Sequence, residues 1–111
     1  MPESKGNLFD IPDALPRLDE FVETLSLGDG LRVERIISHG HSTPDGEWYD
    51  QAWDEFVVLL QGRATVRWGD DSETSMSRGD WVFIPAHRRH RVISTSTEPP
   101  CVWLAVHGPT E

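Results

Sequence analysis

The chain has 111 residues, which is enough for one domain with one hydrophobic core. Its formal net charge of −9 excludes nucleic acid and anionic membranes as expected partners, because it repels their phosphates. The apolar runs are far shorter than the ~20 residues that a membrane span requires. Residues 1–5 lack the basic and apolar segments of a secretory signal, and the single Cys101 cannot form an internal disulfide. We therefore expect a soluble, cytoplasmic protein.

The first 30 residues contain an apolar pattern with the i, i+3, i+4, i+7 spacing of an amphipathic helix. The residues that carry it are Leu18, Phe21, Val22 and Leu25. We predict that residues 1–30 form an N-terminal arm with a short helix and that residues 31–111 form a separate barrel.

From residue 31 onward, short β-rich runs alternate with Gly, Asp, Ser and Pro, which predicts an all-β sandwich or barrel. The runs cover residues 31–38, 47–50, 54–61, 63–69, 73–77, 80–84, 89–95 and 101–107. Two of them, residues 56–60 and 102–106, are apolar at every position. One face of each run should pack inside, and the other should meet a second sheet or a second subunit, so we expect a homodimer.

Two segments resemble the two motifs of the cupin superfamily. They are Glu55-x6-Gly62 and Gly79-x5-Pro85-x-His87-x2-His90. Their spacing is similar to that of small, single-domain bacterial cupin-2 proteins of unassigned function. The resemblance implies a double-stranded β-helix, or jelly-roll, barrel. It also implies a metal site built from two His and one Glu of the first motif and one His of the second.

The metal site that the resemblance implies is incomplete in this sequence. Counting back from Glu55, the two positions of the first-motif histidines hold Trp48 and Asp50 in one register and Tyr49 and Gln51 in the other. We favour the second register, because Tyr49, Gln51 and Glu55 then share the parity of one strand face.

The resemblance leaves Gln51, Glu55 and His90 as predicted ligands of a divalent metal such as Zn, Fe, Mn or Ni. Glu55 and Tyr49 are the predicted catalytic residues, since either can move a proton beside a polarised oxygen. Without a metal, Glu55 and His90 would satisfy one another through a charge-assisted hydrogen bond.

Other polar residues are open alternatives. His39 and His41 form a literal His-x-His, but the rest of the motif does not follow them, and an exposed loop pair is the favoured interpretation. Asp50 and His87 are alternative members of the site. We expect His107 to face solvent or a partner.

The basic residues 87–91 could receive an acidic ligand, although pairing with the abundant acidic side chains is favoured. The first hypothesis for the function is a metal-dependent dioxygenase, isomerase or lyase. The alternatives are a non-catalytic barrel that binds or senses a small acid or sugar and a structural interaction module without a metal.

Overall fold

The computed structural model describes residues 5–16, 19–28 and 30–108. Within these ranges all regular structure is β-strand, which confirms the predicted all-β class. The strands are β1 (Phe21–Gly28), β2 (Leu31–Ser38), β3 (Glu55–Gln61), β4 (Ala64–Trp68), β5 (Glu73–Met76), β6 (Trp81–Ile84), β7 (His90–Thr95) and β8 (Cys101–His107). No membrane-spanning helix is found in the described ranges.

Strands β2 to β8 coincide with seven of the eight runs that the sequence predicts from residue 31 onward. The remaining run, residues 47–50, lies in a loop that meets β7 through a single bridge between Tyr49 and His90. This bridge matters for function, because it fixes the loop against the interior of the molecule.

The predicted N-terminal helix is wrong. Residues 21–28 form β1, which pairs antiparallel with β2 and places Phe21 opposite Ile37 and Val22 opposite Ile36. A bulge between Thr24 and Ser26 interrupts the alternation. Pairing with β2 supplies the backbone hydrogen bonds of this segment and overrides its helix-like apolar spacing. Leu18, which completes that spacing, lies outside the described residues.

The strands form two antiparallel sheets, as in a cupin-like sandwich or jelly roll. One sheet has the order β1-β2-β8-β3-β6 and the other has the order β5-β4-β7. The first strand of the larger sheet therefore begins at Phe21, ahead of the predicted barrel boundary at residue 31. Strand β8 pairs with both β2 and β3, so the last strand of the described chain lies in the centre of this sheet.

The hydrophobic core fills the space between the two sheets. Strand β8 shows how the sequence builds it, because alternate residues Cys101, Trp103 and Ala105 are each at most 4% exposed. Leu59 from β3 and Val66 from β4 join the same cluster from the two facing sheets. The predicted strand position of Cys101 is confirmed, and its thiol is buried.

The outer surface of the larger sheet is covered only in part. The N-terminal arm reaches it, since Arg35 donates hydrogen bonds to the carbonyl oxygens of Leu8 and Asp10 at 3.3 and 2.7 Å. Beyond the arm, β3, β6 and β8 present what we term the apolar outer face. It consists of Phe56, Val58, Trp81, Phe83, Leu104 and Val106.

Candidate functional site

A cavity of about 230 Å³ lies between the sheets and receives side chains from both. Its walls are mostly valine and isoleucine, together with the ring of Trp103. Six polar residues also line it, namely Glu20, Glu34, Tyr49, Gln51, Glu55 and His90. A larger hollow of about 440 Å³ lies against β4, β5 and β7, but none of the predicted site residues lines it. A concave, largely apolar space with a few converging polar groups is the usual form of a small-molecule site.

The loop before β3 is fixed over the cavity by backbone hydrogen bonds. The Tyr49 amide donates to the carbonyl of His90 at 2.8 Å, and the His90 amide donates back at 3.1 Å. Two residues further along, the carbonyl of Gln51 accepts from the His87 amide at 2.6 Å. Since strand-like backbone alternates its side chains, Tyr49 and Gln51 both line the cavity.

The neighbouring side chains of this loop lie outside the cavity. Asp50 is exposed and lies 2.7 Å from Nδ1 of His87, which is exposed as well. The guanidinium of Arg89 lies over the ring of Trp48, with Cζ 4.7 Å from the ring centroid. The structure therefore places the favoured pair, Tyr49 and Gln51, on the cavity and keeps Asp50 and His87 away from it.

Glu55 begins β3 and faces the cavity beside two other ionisable groups. It lies directly opposite His107 of β8, whose Nε2 is 3.6 Å from Oε1 of Glu34. Burial raises the pKa of Glu55; the positive charge of His107 opposes this rise, and the charge of Glu34 adds to it. Glu55 thus holds a proton more tightly than an exposed glutamate does, which suits it to taking up and releasing a proton.

His90 is 6% exposed and has a defined hydrogen-bond arrangement. Its Nδ1 lies 2.9 Å from the carbonyl oxygen of Arg88, so Nδ1 carries the proton in the neutral ring and Nε2 is left as an acceptor. Burial lowers the pKa of His90; the hydrogen bond to the Arg88 carbonyl opposes this effect, and the Arg88 charge adds to it. The imidazole is therefore neutral at physiological pH.

Tyr49 stacks on His90, with ring centroids 5.3 Å apart and an interplanar angle of 26°. Burial raises the pKa of the Tyr49 phenol, and the negative charges of Glu20, Glu47 and Glu55 raise it further. The hydroxyl therefore keeps its proton at neutral pH and can donate it to a bound molecule.

The four-donor metal centre that the sequence resemblance implies does not fit these residues. Within the described ranges, no three His, Cys, Asp or Glu side chains are grouped so that they could hold a metal ion. Among the described residues, Oε1 of Gln51 is buried without a hydrogen-bond partner and could serve as a metal ligand. However, the charges that affect the pKa of Glu55 are those of His107 and Glu34, whereas the charge that affects the pKa of His90 is that of Arg88. The three-donor set of Gln51, Glu55 and His90 stays a prediction.

The His-x-His pair is half-buried and not the exposed loop pair that the sequence favours, and Nε2 of His41 has no hydrogen-bond partner among the described residues. Nε2 of His39 lies 3.0 Å from the carbonyl oxygen of Pro16, and Nδ1 of His41 accepts a hydrogen bond from the His39 amide at 3.1 Å. His41 lines a hollow of about 280 Å³ that adjoins the cavity and shares Glu20 and Tyr49 with it. Neither imidazole lines the cavity itself.

The expectation that His107 faces solvent or a partner is wrong. His107 is 4% exposed and stacks on Trp53, with ring centroids 5.0 Å apart. It has the same parity in β8 as the buried Trp103, and this alternation could have identified it. Sequence reasoning also missed Glu34, whose approach to His107 depends on the pairing of β2 with β8.

A family model described as "Cupin domain" matches residues 42–107. The chain belongs to the cupin family. Among solved structures, this cupin is similar to a protein of Ralstonia eutropha JMP134 that is provisionally named a mannose-6-phosphate isomerase. The two are 45% identical, with a TM-score of 0.86 over 96% of this chain and 98% of the other. The comparison with curated proteins finds no match.

Two further structures show the same fold at lower identity. A cupin superfamily protein of Desulfitobacterium hafniense DCB-2 is 17% identical, with a TM-score of 0.73 over 96% of this cupin and 92% of that chain. KdgF of Halomonas sp. is 15% identical, with a TM-score of 0.67 over 81% of this cupin and 80% of that chain. These likenesses establish the fold alone, because cupin barrels serve many functions.

Proposed function

We propose that this cupin binds a small polar molecule in the cavity and moves a proton on it, as isomerases and lyases do. Glu55 is the general base and acid, and Tyr49 is a hydrogen-bond donor on the cavity wall. The observation that carries the proposal is the position of Glu55, a carboxyl whose pKa burial raises and which lines a partly open, largely apolar cavity.

The rest of the lining supports this division of roles. The Tyr49 phenol is protonated at neutral pH, and its raised pKa makes it a hydrogen-bond donor and not a strong acid. Nε2 of His90 is an acceptor that can orient a hydroxyl group of the bound molecule. The relative from Ralstonia eutropha is provisionally named an isomerase of a sugar phosphate. Aldose–ketose isomerisation moves a proton between neighbouring carbons and needs no redox partner, so that name agrees with the reaction class proposed here.

Solvent hydrogen exchange tests the proposal. The protein is incubated in D₂O with D-mannose, D-fructose or mannose 6-phosphate, and loss of the C–H signal next to the carbonyl carbon is followed by ¹H NMR. We expect Glu55→Gln to slow exchange by about 10²- to 10⁴-fold and Tyr49→Phe to slow it by a smaller factor. Glu73→Gln, an equal charge change on the exposed strand β5, is the matched control and should exchange at the wild-type rate.

Equal exchange by wild type and Glu55→Gln would refute the assigned role of Glu55. A ligand that raises the melting temperature but shows no exchange would instead support the second candidate, a non-catalytic binding or sensing barrel. The observation that favours this second candidate is the departure from the metal-binding motif, with Tyr49 and Gln51 at the two histidine positions.

Cupin domains often bind a divalent metal. We retain the set of Gln51, Glu55 and His90 as a metal hypothesis, on which a dioxygenase activity would depend. Elemental analysis of untagged protein tests it. A stoichiometric metal that is lost in both Glu55→Gln and His90→Ala would support the hypothesis, and a metal that is absent or insensitive to both variants would refute it.

We further propose that the protein is a homodimer whose second copy covers the apolar outer face. Trp81 is 61% exposed and Phe83 is 50% exposed there, and the Trp81 ring lies 5.5 Å from that of Phe56. Contiguous exposed aromatics on a soluble domain usually mark an interface. Light scattering of the Trp81→Glu, Phe83→Glu double variant should give the mass of a monomer. A wild-type protein that is already monomeric at micromolar concentration would contradict this proposal.

A further inference from the structure

The charge of the cavity lining is strongly one-sided. Three of its polar residues, Glu20, Glu34 and Glu55, are carboxylic acids. Among the described residues that line the cavity, none is a lysine or an arginine. His107, whose Nε2 lies 3.6 Å from Oε1 of Glu34, does not itself line the cavity. Within the described lining, a ligand therefore meets carboxyl groups and no arginine or lysine that could hold an anion.

The arginines of the basic segment are occupied elsewhere. The guanidinium of Arg88 lies 3.8 Å from the centroid of the Trp68 ring. Arg91 donates a hydrogen bond to the carbonyl oxygen of Thr43 at 3.0 Å and lies 3.6 Å from Asp45. Arg89 lies over Trp48, outside the cavity. These three arginines therefore make their contacts outside the cavity lining, and none of them would contact an anion bound in the cavity.

Hydrogen-bond acceptors also outnumber donors in the cavity. Among the described residues, Oε1 of Gln51 is buried and has no hydrogen-bond partner, which makes it an acceptor that a ligand could satisfy. Nε2 of His90 is a second acceptor, since Nδ1 carries the ring proton. Glu20 accepts a hydrogen bond from the Ser38 hydroxyl through Oε2 at 2.6 Å and lines the cavity as a further acceptor.

From this lining we infer that the cavity selects a small molecule rich in hydroxyl or amino hydrogen-bond donors and excludes carboxylic acids and phosphate esters. This inference rests on the proposed function, because it concerns the substrate of the same site. The valine and isoleucine side chains can pack against the C–H groups of such a molecule, and the carboxyl groups can accept hydrogen bonds from its hydroxyl or amino groups. Unphosphorylated sugars and amino sugars share this chemistry.

A cavity that excludes phosphate esters would not accept mannose 6-phosphate, the substrate in the provisional name of the Ralstonia relative. Proteins usually hold a phosphate ester with arginine or lysine side chains or with the amide groups at a helix N-terminus. In the described part of the chain neither is present at the cavity. Of the two ligand types that the sequence predicts, a small acid or a sugar, the lining favours the sugar.

A panel built on one carbon skeleton tests the charge preference. D-Mannose, D-mannosamine, D-mannonate and mannose 6-phosphate are titrated into ¹⁵N-labelled protein, and the signals of the Gln51 side-chain amide and the His90 backbone amide report on the cavity. We expect mannose and mannosamine to shift these signals and the two anions to bind at least about tenfold more weakly. Anions that bind as tightly as mannosamine would overturn the inference and leave the proposed function intact.

A panel in which no member shifts the cavity signals would overturn both proposals, since the cavity would then not bind small polar molecules of this class. The variant Glu20→Gln removes one carboxylate without changing the shape of the side chain. It should narrow the affinity ratio between mannosamine and mannose 6-phosphate by about threefold or more, whereas Glu73→Gln should leave that ratio unchanged. An equal effect of both variants would show that overall charge, and not the cavity lining, sets the preference.

Discussion

Replacing Gly62 by alanine should destabilise the protein more than the same change at Gly79, although each glycine belongs to one of the two cupin motifs. Gly62 has a φ angle of +95° and Gly79 has one of +91°, so both lie in the region that favours glycine. A Cβ at Gly62 would lie 2.8 Å from Sγ of Cys101 and 2.8 Å from Oγ of Ser96. A Cβ at Gly79 would have no heavy atom within 4 Å.

The two substitutions therefore separate backbone strain from steric overlap. Strain at a positive φ angle costs about 1–3 kcal/mol in both variants. Gly62→Ala adds the overlap with the buried Cys101, which costs about 1–3 kcal/mol more, as other overpacked cores do. The free energy of unfolding, measured by urea titration, should fall for both variants with an unchanged m-value and should fall further for Gly62→Ala. Equal losses would refute the steric argument for the glycine that ends the first motif.

Three predictions concern the ionisable groups of the cavity. Because burial raises the pKa of Glu55, the native state keeps this proton to a higher pH than the unfolded state does. Stability should therefore fall as the pH rises from the ordinary glutamate value through the native one, and urea titrations of Glu55→Gln should lack this fall. The lowered pKa of His90 has the opposite effect, so stability should fall as the pH drops below about 6.5, and the NMR titration midpoint of its ring should lie below that value. His107→Gln removes a positive charge that lowers the pKa of Glu55, so the pH profile of solvent hydrogen exchange should move to higher pH; an unmoved profile would show that Glu55 does not control the reaction.

The strand pattern of this fold is largely predictable from the sequence. Alternating apolar residues and turn-forming glycines mark β2 to β8, because strand side chains alternate between the core and the outer surface. The same argument selects Tyr49 and Gln51 over Trp48 and Asp50, and the structure places both selected residues on the cavity.

The errors arise where the outcome depends on pairing between distant segments. Phe21 and Val22 fit a helix by their spacing, but pairing with β2 holds them in a strand. Glu34 is unremarkable in the sequence, and it becomes part of the site only because β2 pairs with β8 and brings it to His107. The sequence shows that the motif histidines are missing. It does not show that His107 and Glu34 lie beside Glu55 in their place.

Proton transfer by Glu55 is the central claim, and solvent hydrogen exchange on a bound sugar, compared between the wild type, Glu55→Gln and the control Glu73→Gln, tests it most directly. We expect exchange to be lost in Glu55→Gln and to keep the wild-type rate in Glu73→Gln. Exchange that continues at the wild-type rate in Glu55→Gln would contradict the claim.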